Sequence, residues 1–324
     1  MDELIEGFLT QLQLDSPLSD ERVEVLRALL VRFVELALVD NNVGDLRVAV
    51  RALNELTEAS TLFSQWRDVP KLAVFGSART DEAHALYEMA RELGATMAQR
   101  GWMIISGAGP GIMEASAKGA GREHTLGVNI ELPFEQFSNP YIDAESMLVA
   151  MQYFFTRKVA MTRPSNAFAI FPGGLGTMDE TFEVLTLLHT GKTSPAPVVL
   201  VDTPDGDFWR QWMNFVENAV IADRYIDEND MCLVRICTSV EEAATEIDHF
   251  FSNYVRFDVR GERGFIQVRR GPSDEQLAEL ANVVPRFSSG LGYAREDDTT
   301  ISFAFDGRNY VNLRLLINEI NEWR

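Results

Sequence analysis

AFAIFPGGLGTMDETFEVL, residues 167–185, is the stretch on which the fold turns. Ala167–Phe171 is a continuous apolar run, the pattern of a strand buried on both faces. Pro172-Gly173-Gly174-Leu175-Gly176-Thr177 interrupts it with turn-forming residues, and a helix follows from Thr177. Strand, glycine turn and helix make up half of a βαβ unit.

The same rhythm repeats outward from this stretch. KLAVF (71–75) precedes a helix over 83–99, and WMIIS (102–106) one from 111. TLGVNI (125–130) precedes a helix over 144–162, PVVLV (197–201) one over 207–221, and CLVRI (232–236) one over 240–253. Alternation of this kind predicts an α/β chain with a doubly wound parallel sheet over residues 69–254. Residues 1–68 read as an N-terminal helical hairpin. Ser19 caps a helix carrying Leu26, Leu29, Leu30, Phe33 and Leu36, and a turn at Asn41-Asn42-Val43-Gly44 leads into the next. Residues 255–324 read as a small α+β module: a hairpin at RGERGFIQVRR, a Ser273/Gln276 capping box, a strand at TTISFAF and a last helix through Leu313, Leu316, Ile317 and Ile320.

Hydrophobic residues at 46% and aromatics at 10% suffice for a packed core. The formal net charge of −20 repels nucleic acid and anionic membranes, so neither is an expected partner. A small anion is still admissible, because local N–H groups override the global field. No apolar run reaches the length of a membrane span, and the acidic start MDELIEGFLT lacks a leader pattern, so a cytoplasmic protein is expected. Cys232 and Cys237 sit in an apolar run without zinc spacing, and the four histidines are scattered. No metal and no cofactor is expected.

Three strand ends open into glycine turns: Gly76-Ser77 after KLAVF, Gly107-Ala108-Gly109-Pro110-Gly111 after WMIIS, and Gly173-Gly174-Leu175-Gly176-Thr177 after AFAIF. In doubly wound sheets ligands bind at the carboxyl ends of the strands. A glycine turn at a helix start offers unpaired N–H groups to phosphate. Any one such turn is equally well explained as a tight connection; three on one sheet edge favour an anion site. The spacing fits neither a P-loop nor a dinucleotide fingerprint. Thr177 and Glu180 form T-x-x-E, so Glu180 is either a helix-capping side chain or a carboxylate held at the mouth of that site, with Glu183 one turn on. Arg157-Lys158 is either a solvated pair or a basic contribution to the same edge. Glu131 follows the strand TLGVNI on the ligand side of the sheet.

Arg157-Lys158 together with Pro172-Gly173-Gly174-Leu175-Gly176-Thr177-Met178-Asp179-Glu180 resembles the paired signature of the LONELY GUY (LOG) family, nucleotide phosphoribohydrolases long labelled lysine decarboxylases. GSART (76–80), GPGIMEASAKGA (109–120) and NIELPFEQFSNPY (129–141) resemble its longer bacterial branch, and the likeness covers residues 70–250. The resemblance implies a Rossmann-like fold, a homodimer or larger homo-oligomer, and cleavage of a nucleoside monophosphate to free base and ribose 5-phosphate. It implies catalytic roles for Arg157 and Glu180, with Glu131 and Glu183 as further carboxylates at the ribose. Gly76, Ser77, Gly107, Gly109, Gly111, Met113, Lys158, Gly173, Gly174, Gly176 and Thr177 are the expected nucleotide-binding set. Ser106-Gly107-Ala108-Gly109 departs from the family's all-glycine run, adding a Cβ where backbone is expected to approach phosphate.

A carboxylate beside C1′ stabilises an oxocarbenium-like ribose and orients water, the part that falls to Glu180. The substrate expected is a purine monophosphate, AMP or an N6-substituted AMP of cytokinin type. The alternatives are a non-catalytic nucleotide-binding or carrier protein on the same fold, and a pyridoxal-phosphate decarboxylase using Lys158 or Lys192.

Overall fold

The computed structural model describes residues 2–15, 18–39, 43–131, 138–283 and 292–323. Asn41-Asn42 of the expected turn and residues 132–137 of the segment NIELPFEQFSNPY lie outside the described residues. The chain divides into two compact units, 1–57 and 58–324.

The first unit holds helices α1 (Asp2–Asp15), α2 (Asp20–Val39) and most of α3 (Val43–Ser64). Ser19 caps α2 by accepting from the Arg22 N–H, and Arg27 of α2 pairs with Glu6 of α1. No residue of α2 is fully buried, and Val25, Leu29 and Phe33 stand exposed along one side.

In the second unit the chain runs β1 (Lys71–Phe75), α4 (Ala85–Gln99), β2 (Met103–Ser106), α5 (Ile112–Ala120), β3 (Thr125–Ile130), β4 (Leu148–Met151), α6 (Phe154–Thr162), β5 (Ala167–Ile170), α7 (Leu175–His189), β6 (Val198–Val201), α8 (Phe208–Phe215), β7 (Val234–Cys237) and α9 (Val240–Phe250). The seven strands are all parallel, in the order β4-β3-β2-β1-β5-β6-β7. Strands β1, β2, β5 and β6 are buried along their whole length, as their unbroken apolar runs require. The pleat sends alternate residues to opposite faces. Ala73, Phe75, Phe168 and Ile170 face α6, α7 and α8. Leu72, Val74, Ala167 and Ala169 face α4, α5 and α9. This is the expected doubly wound α/β sheet.

One expected helix is half strand. Residues 148–151 pair with β3 at the sheet edge, although Glu145, Met147, Leu148, Ala150 and Met151 are good helix formers. The open edge of β3 overrides that local preference, and the helix starts only at Phe154. Helix α8 continues into a π-helical turn, Val216–Ile221. Among the described residues no helix is long and apolar enough to cross a membrane.

The final module adds β8 (Tyr254–Arg260), β9 (Arg263–Val268), α10 (Asp274–Val283), β10 (Ala294–Asp297), β11 (Thr300–Ala304) and α11 (Tyr310–Asn321). Its antiparallel sheet, β10-β11-β9-β8, has a core of its own that includes Ile266, Phe303, Leu313 and Ile317. The Ser273/Gln276 capping box forms as read, with both reciprocal bonds in place. Two buried asparagines join the module to α9. Asn321 accepts from the N–H of Asn253 and Tyr254 and donates to Phe250, and Asn253 donates to the Ile320 and Arg270 carbonyls.

The module is also held by an ion pair. Arg314 of α11, 5% exposed, reaches Glu246 of α9 at 2.8 Å and lies 4.8 Å over the Phe250 ring. Arg235 approaches the other oxygen of Glu246 at 2.8 Å. Removing one partner strands a buried charge, whereas removing both with apolar groups of similar size is far milder. Glu246→Met, which leaves Arg314 without its carboxylate, is expected to lower unfolding free energy by about 3 kcal/mol in chemical denaturation, and the double variant with Arg314→Met to recover most of it.

Candidate active site

The strand order reverses between β1 and β5, and that reversal opens a crevice at their carboxyl ends. A cavity of about 1280 Å³ occupies it, lined from the turns after β1, β2 and β5. Backbone bonds hold these turns together: Ser77 N–H donates to the Pro172 carbonyl (3.2 Å), and Ile112 N–H donates to the Ser77 carbonyl (3.1 Å). Several glycines serve that contact. A Cβ on Gly111, which sits at φ +67°, would overlap Ser77 and Ala78; one on Gly173 would overlap Thr177 and press on the Ser77 nitrogen.

Helices α5 and α7 begin at this cavity. Gly109, Pro110 and Met113 line it from the start of α5, and Gly174, Leu175, Gly176 and Thr177 from the start of α7. Two helix N-termini border one space, an arrangement that favours an anion. The capping reading of Thr177 and Glu180 does not hold. Helix α7 starts two residues earlier, with Gly174 as N-cap and no side-chain cap bond, so Thr177 is already inside the helix. Glu180 therefore points elsewhere.

Its partner is Arg157. The Arg157 Nη1 lies 3.5 Å from Glu180 Oε1, and its Nε donates to the Val128 carbonyl at 3.0 Å. Both side chains line the cavity yet are only 12% and 13% exposed. Gly107 makes room for the guanidinium, since a Cβ there would overlap Arg157 Nη2. Burial pushes the Glu180 carboxyl above its ordinary pKa, and Arg157 and Lys158 pull back against that rise. Burial also lowers the Arg157 pKa, opposed by Glu180.

Lys158 turns away from the cavity and bonds Asp179 (2.9 Å) and Glu183 (2.8 Å). Burial disfavours its ammonium, but the bonds from Glu183 and Asp179 outweigh that and hold its pKa above the ordinary value. An amine held charged in this way is a poor nucleophile. Of the expected residues, Gly76, Ser77, Gly107, Gly109, Met113, Gly174, Gly176, Thr177, Arg157 and Glu180 line the cavity together. Gly111 and Gly173 lie behind them in the turn contacts, Glu131 stands exposed beyond β3, and Glu183 faces a different cavity. Among the described residues no cluster of three His, Cys, Asp or Glu side chains is placed to hold a metal ion.

Ala108 adopts φ +62°, the left-handed region that glycine enters without strain. Its methyl is buried in the core beneath the turn and does not line the cavity. The departure therefore leaves the cavity wall unchanged. Asn139, which sequence reading did not single out, closes the loop. Its N–H donates to the Ala108 carbonyl (2.8 Å) and its Nδ2 to that of Gly109 (3.1 Å). The Asn139-Pro140 dipeptide was the available signal, since it marks a turn.

The family model described as "possible lysine decarboxylase" matches residues 111–247. The chain is 35% identical over 150 residues to the cytokinin riboside 5′-monophosphate phosphoribohydrolase of Mycobacterium tuberculosis, spanning 44% of this chain and 76% of that protein. It is 28% identical over 193 residues to the protein of the same name from Rhodococcoides fascians, spanning 58% of this chain and 95% of that one. It is 30% identical over 160 residues to the pyrimidine/purine nucleotide 5′-monophosphate nucleosidase of Escherichia coli, spanning 46% of this chain and 35% of that protein. With that share of a relative's length matched at that identity, and with Arg157 facing Glu180 beneath the glycine turn, the chain belongs to the LONELY GUY (LOG) family.

Proposed function

We propose that this protein hydrolyses the N-glycosidic bond of a purine nucleoside 5′-monophosphate, AMP or an N6-substituted AMP, to free base and ribose 5-phosphate. The observation that carries this reading is the buried Arg157–Glu180 pair in a cavity that two helix N-termini share. The 5′-phosphate sits on the N–H groups at the starts of α5 and α7 and is held there by charge and dipole. That contact fixes the ribose so that Glu180 lies beside C1′. As a carboxylate it stabilises the positive charge growing on the ribose and takes a proton from the attacking water. Its raised pKa suits this role, because a more basic carboxylate accepts a proton more readily. Arg157 keeps Glu180 ionised and offers a fork to phosphate or ribose oxygens. A carrier that only held nucleotide would have no use for a carboxylate kept from water beside the site. Adenosine, lacking the anchor, is expected to be turned over at least ~100-fold more slowly than AMP when free base is measured by chromatography. Comparable rates would show that the helix starts do not bind phosphate.

The roles of the side chains separate by substitution. Glu180→Gln and Arg157→Ala are each expected to lose at least ~100-fold in kcat/KM for AMP in protein that is still folded by circular dichroism, with Arg157→Ala the less stable of the two because it leaves Glu180 without its buried partner. Lys158→Ala keeps much of its activity but alters the pH profile. The rate falls as acid protonates Glu180, and burial places that limb above the ordinary glutamate pKa of about 4.3. Lys158 lowers the Glu180 pKa, so removing it moves the acid limb to higher pH. A Lys158→Ala protein that is dead while Arg157→Ala turns over would reverse the assignment.

We also infer a homodimer. Phe155 and Val159 on α6, Phe182 on α7 and Phe215 on α8 are 43–56% exposed, and Phe182 and Trp212 are in ring contact, so α7 and α8 adjoin. An apolar face of this kind on a chain of net charge −20 is covered most simply by a second copy. Light scattering after gel filtration is expected to give twice the chain mass, and Phe155→Glu to give the monomer.

A further inference from the structure

A second cavity, of about 610 Å³, shares no lining residue with the first. Arg163 at the end of α6 and Lys192 and Ser194 of the loop after α7 supply its polar wall. Phe257 of β8 and Tyr310 of α11 supply an aromatic one, with ring centroids 6.4 Å apart and planes at 88°. Tyr310 is fixed in place by Gly191. That residue sits at φ +65°, and a Cβ on it would overlap the tyrosine ring. The volume falls in the range of small-molecule sites.

The chain has a formal net charge of −20, and its lysines are Lys71, Lys118, Lys158 and Lys192. Three of them are engaged: Lys71 by the Trp66 and Val69 carbonyls, Lys118 by Glu82, and Lys158 by Asp179 and Glu183. Neither Lys192 nor Arg163 has a side-chain partner among the described residues. Two unpaired, solvent-exposed cations lining one cavity with an aromatic wall, in a chain with so large an acid excess, suit an organic anion carrying a flat ring. Guanidinium grips a phosphate bidentately, ammonium adds a point charge, and two cations match two phosphate groups better than one. Glu183, which also lines this cavity, offers an acceptor to ring N–H or amino groups.

We propose that this cavity between α6, the loop after α7 and the C-terminal module is a second binding site, for a nucleoside diphosphate. It shares no lining residue with the hydrolytic site.

Calorimetric titration with ADP tests the proposal on an Arg157→Ala background with a non-hydrolysed excess of ribose 5-phosphate filling the first cavity, so that the readout does not depend on base release. The Arg157→Ala protein is expected to bind ADP, and adding Arg163→Glu and Lys192→Glu to weaken that binding at least tenfold. Inorganic pyrophosphate is expected to bind the Arg157→Ala protein at least tenfold more weakly than ADP, since it leaves the rings uncovered. Arg163→Glu/Lys192→Glu in the otherwise native chain is expected to release base from AMP within twofold of the native rate. Arg163→Gln/Lys192→Gln repeats the comparison without reversed charges. ADP binding that is absent, or unchanged by both pairs of substitutions, overturns the site; pyrophosphate binding as tight as ADP overturns the ligand class. Failure of base release in the native chain with ADP binding intact would instead refute the hydrolytic reading alone.

Discussion

The three turns at the carboxyl edge of the sheet can lie against one another only because side chains are missing between them. Ser77 is the knot: it donates to Pro172, accepts from Ile112, and has Gly111 and Gly173 close against its backbone. Glycines that read in sequence as an approach path for phosphate are thus divided. Gly109, Gly174 and Gly176 face the cavity, while Gly111 and Gly173 let one turn rest on the next. The starts of α5 and α7 converge as a result, and the anion preference of the site comes from that convergence more than from any one loop.

Within this frame two adjacent basic residues are unequally matched with carboxylates. Neighbouring positions on a helix point about 100° apart, so Arg157 and Lys158 meet different surroundings. Arg157 enters the cavity through the space left by Gly107 and faces a single carboxylate, Glu180. Lys158 faces two, Asp179 and Glu183. The pair with fewer countercharges is the more deeply buried, and it is the one whose carboxylate is driven up in pKa. Lys158 tempers that rise without touching the cavity.

Much of this was legible in the sequence. The all-apolar strands announced a sheet covered on both faces, and PGGLGT with the preceding arginine pointed to residues that line the first cavity together. What escaped reading had long-range causes. Residues 148–151 have helical propensity and became a strand because β3 offered an unpaired edge. T-x-x-E matches a capping box, yet the turn geometry starts α7 at Leu175 and frees Glu180 for Arg157. Glu183 shares a spacing with Glu180 but is captured by Lys158. Asn253 and Asn321 look like surface amides in sequence. Their roles as buried connectors depend on contacts about 68 residues apart, which no local pattern encodes.

The left-handed Ala108 carries a consequence for how this chain can vary. Its methyl occupies space in the core beneath the turn, where a Cβ on Gly127 would come within 3.1 Å of it and within 2.6 Å of Leu148 Cδ1. Positions 108 and 127 are therefore packed against each other. Leu148 and Ile142 crowd the same spot from the other sides, so the methyl of Ala108 is one of three walls that keep position 127 free of a side chain. A residue chosen at the turn thus narrows the choice in β3, a strand more than fifteen residues away.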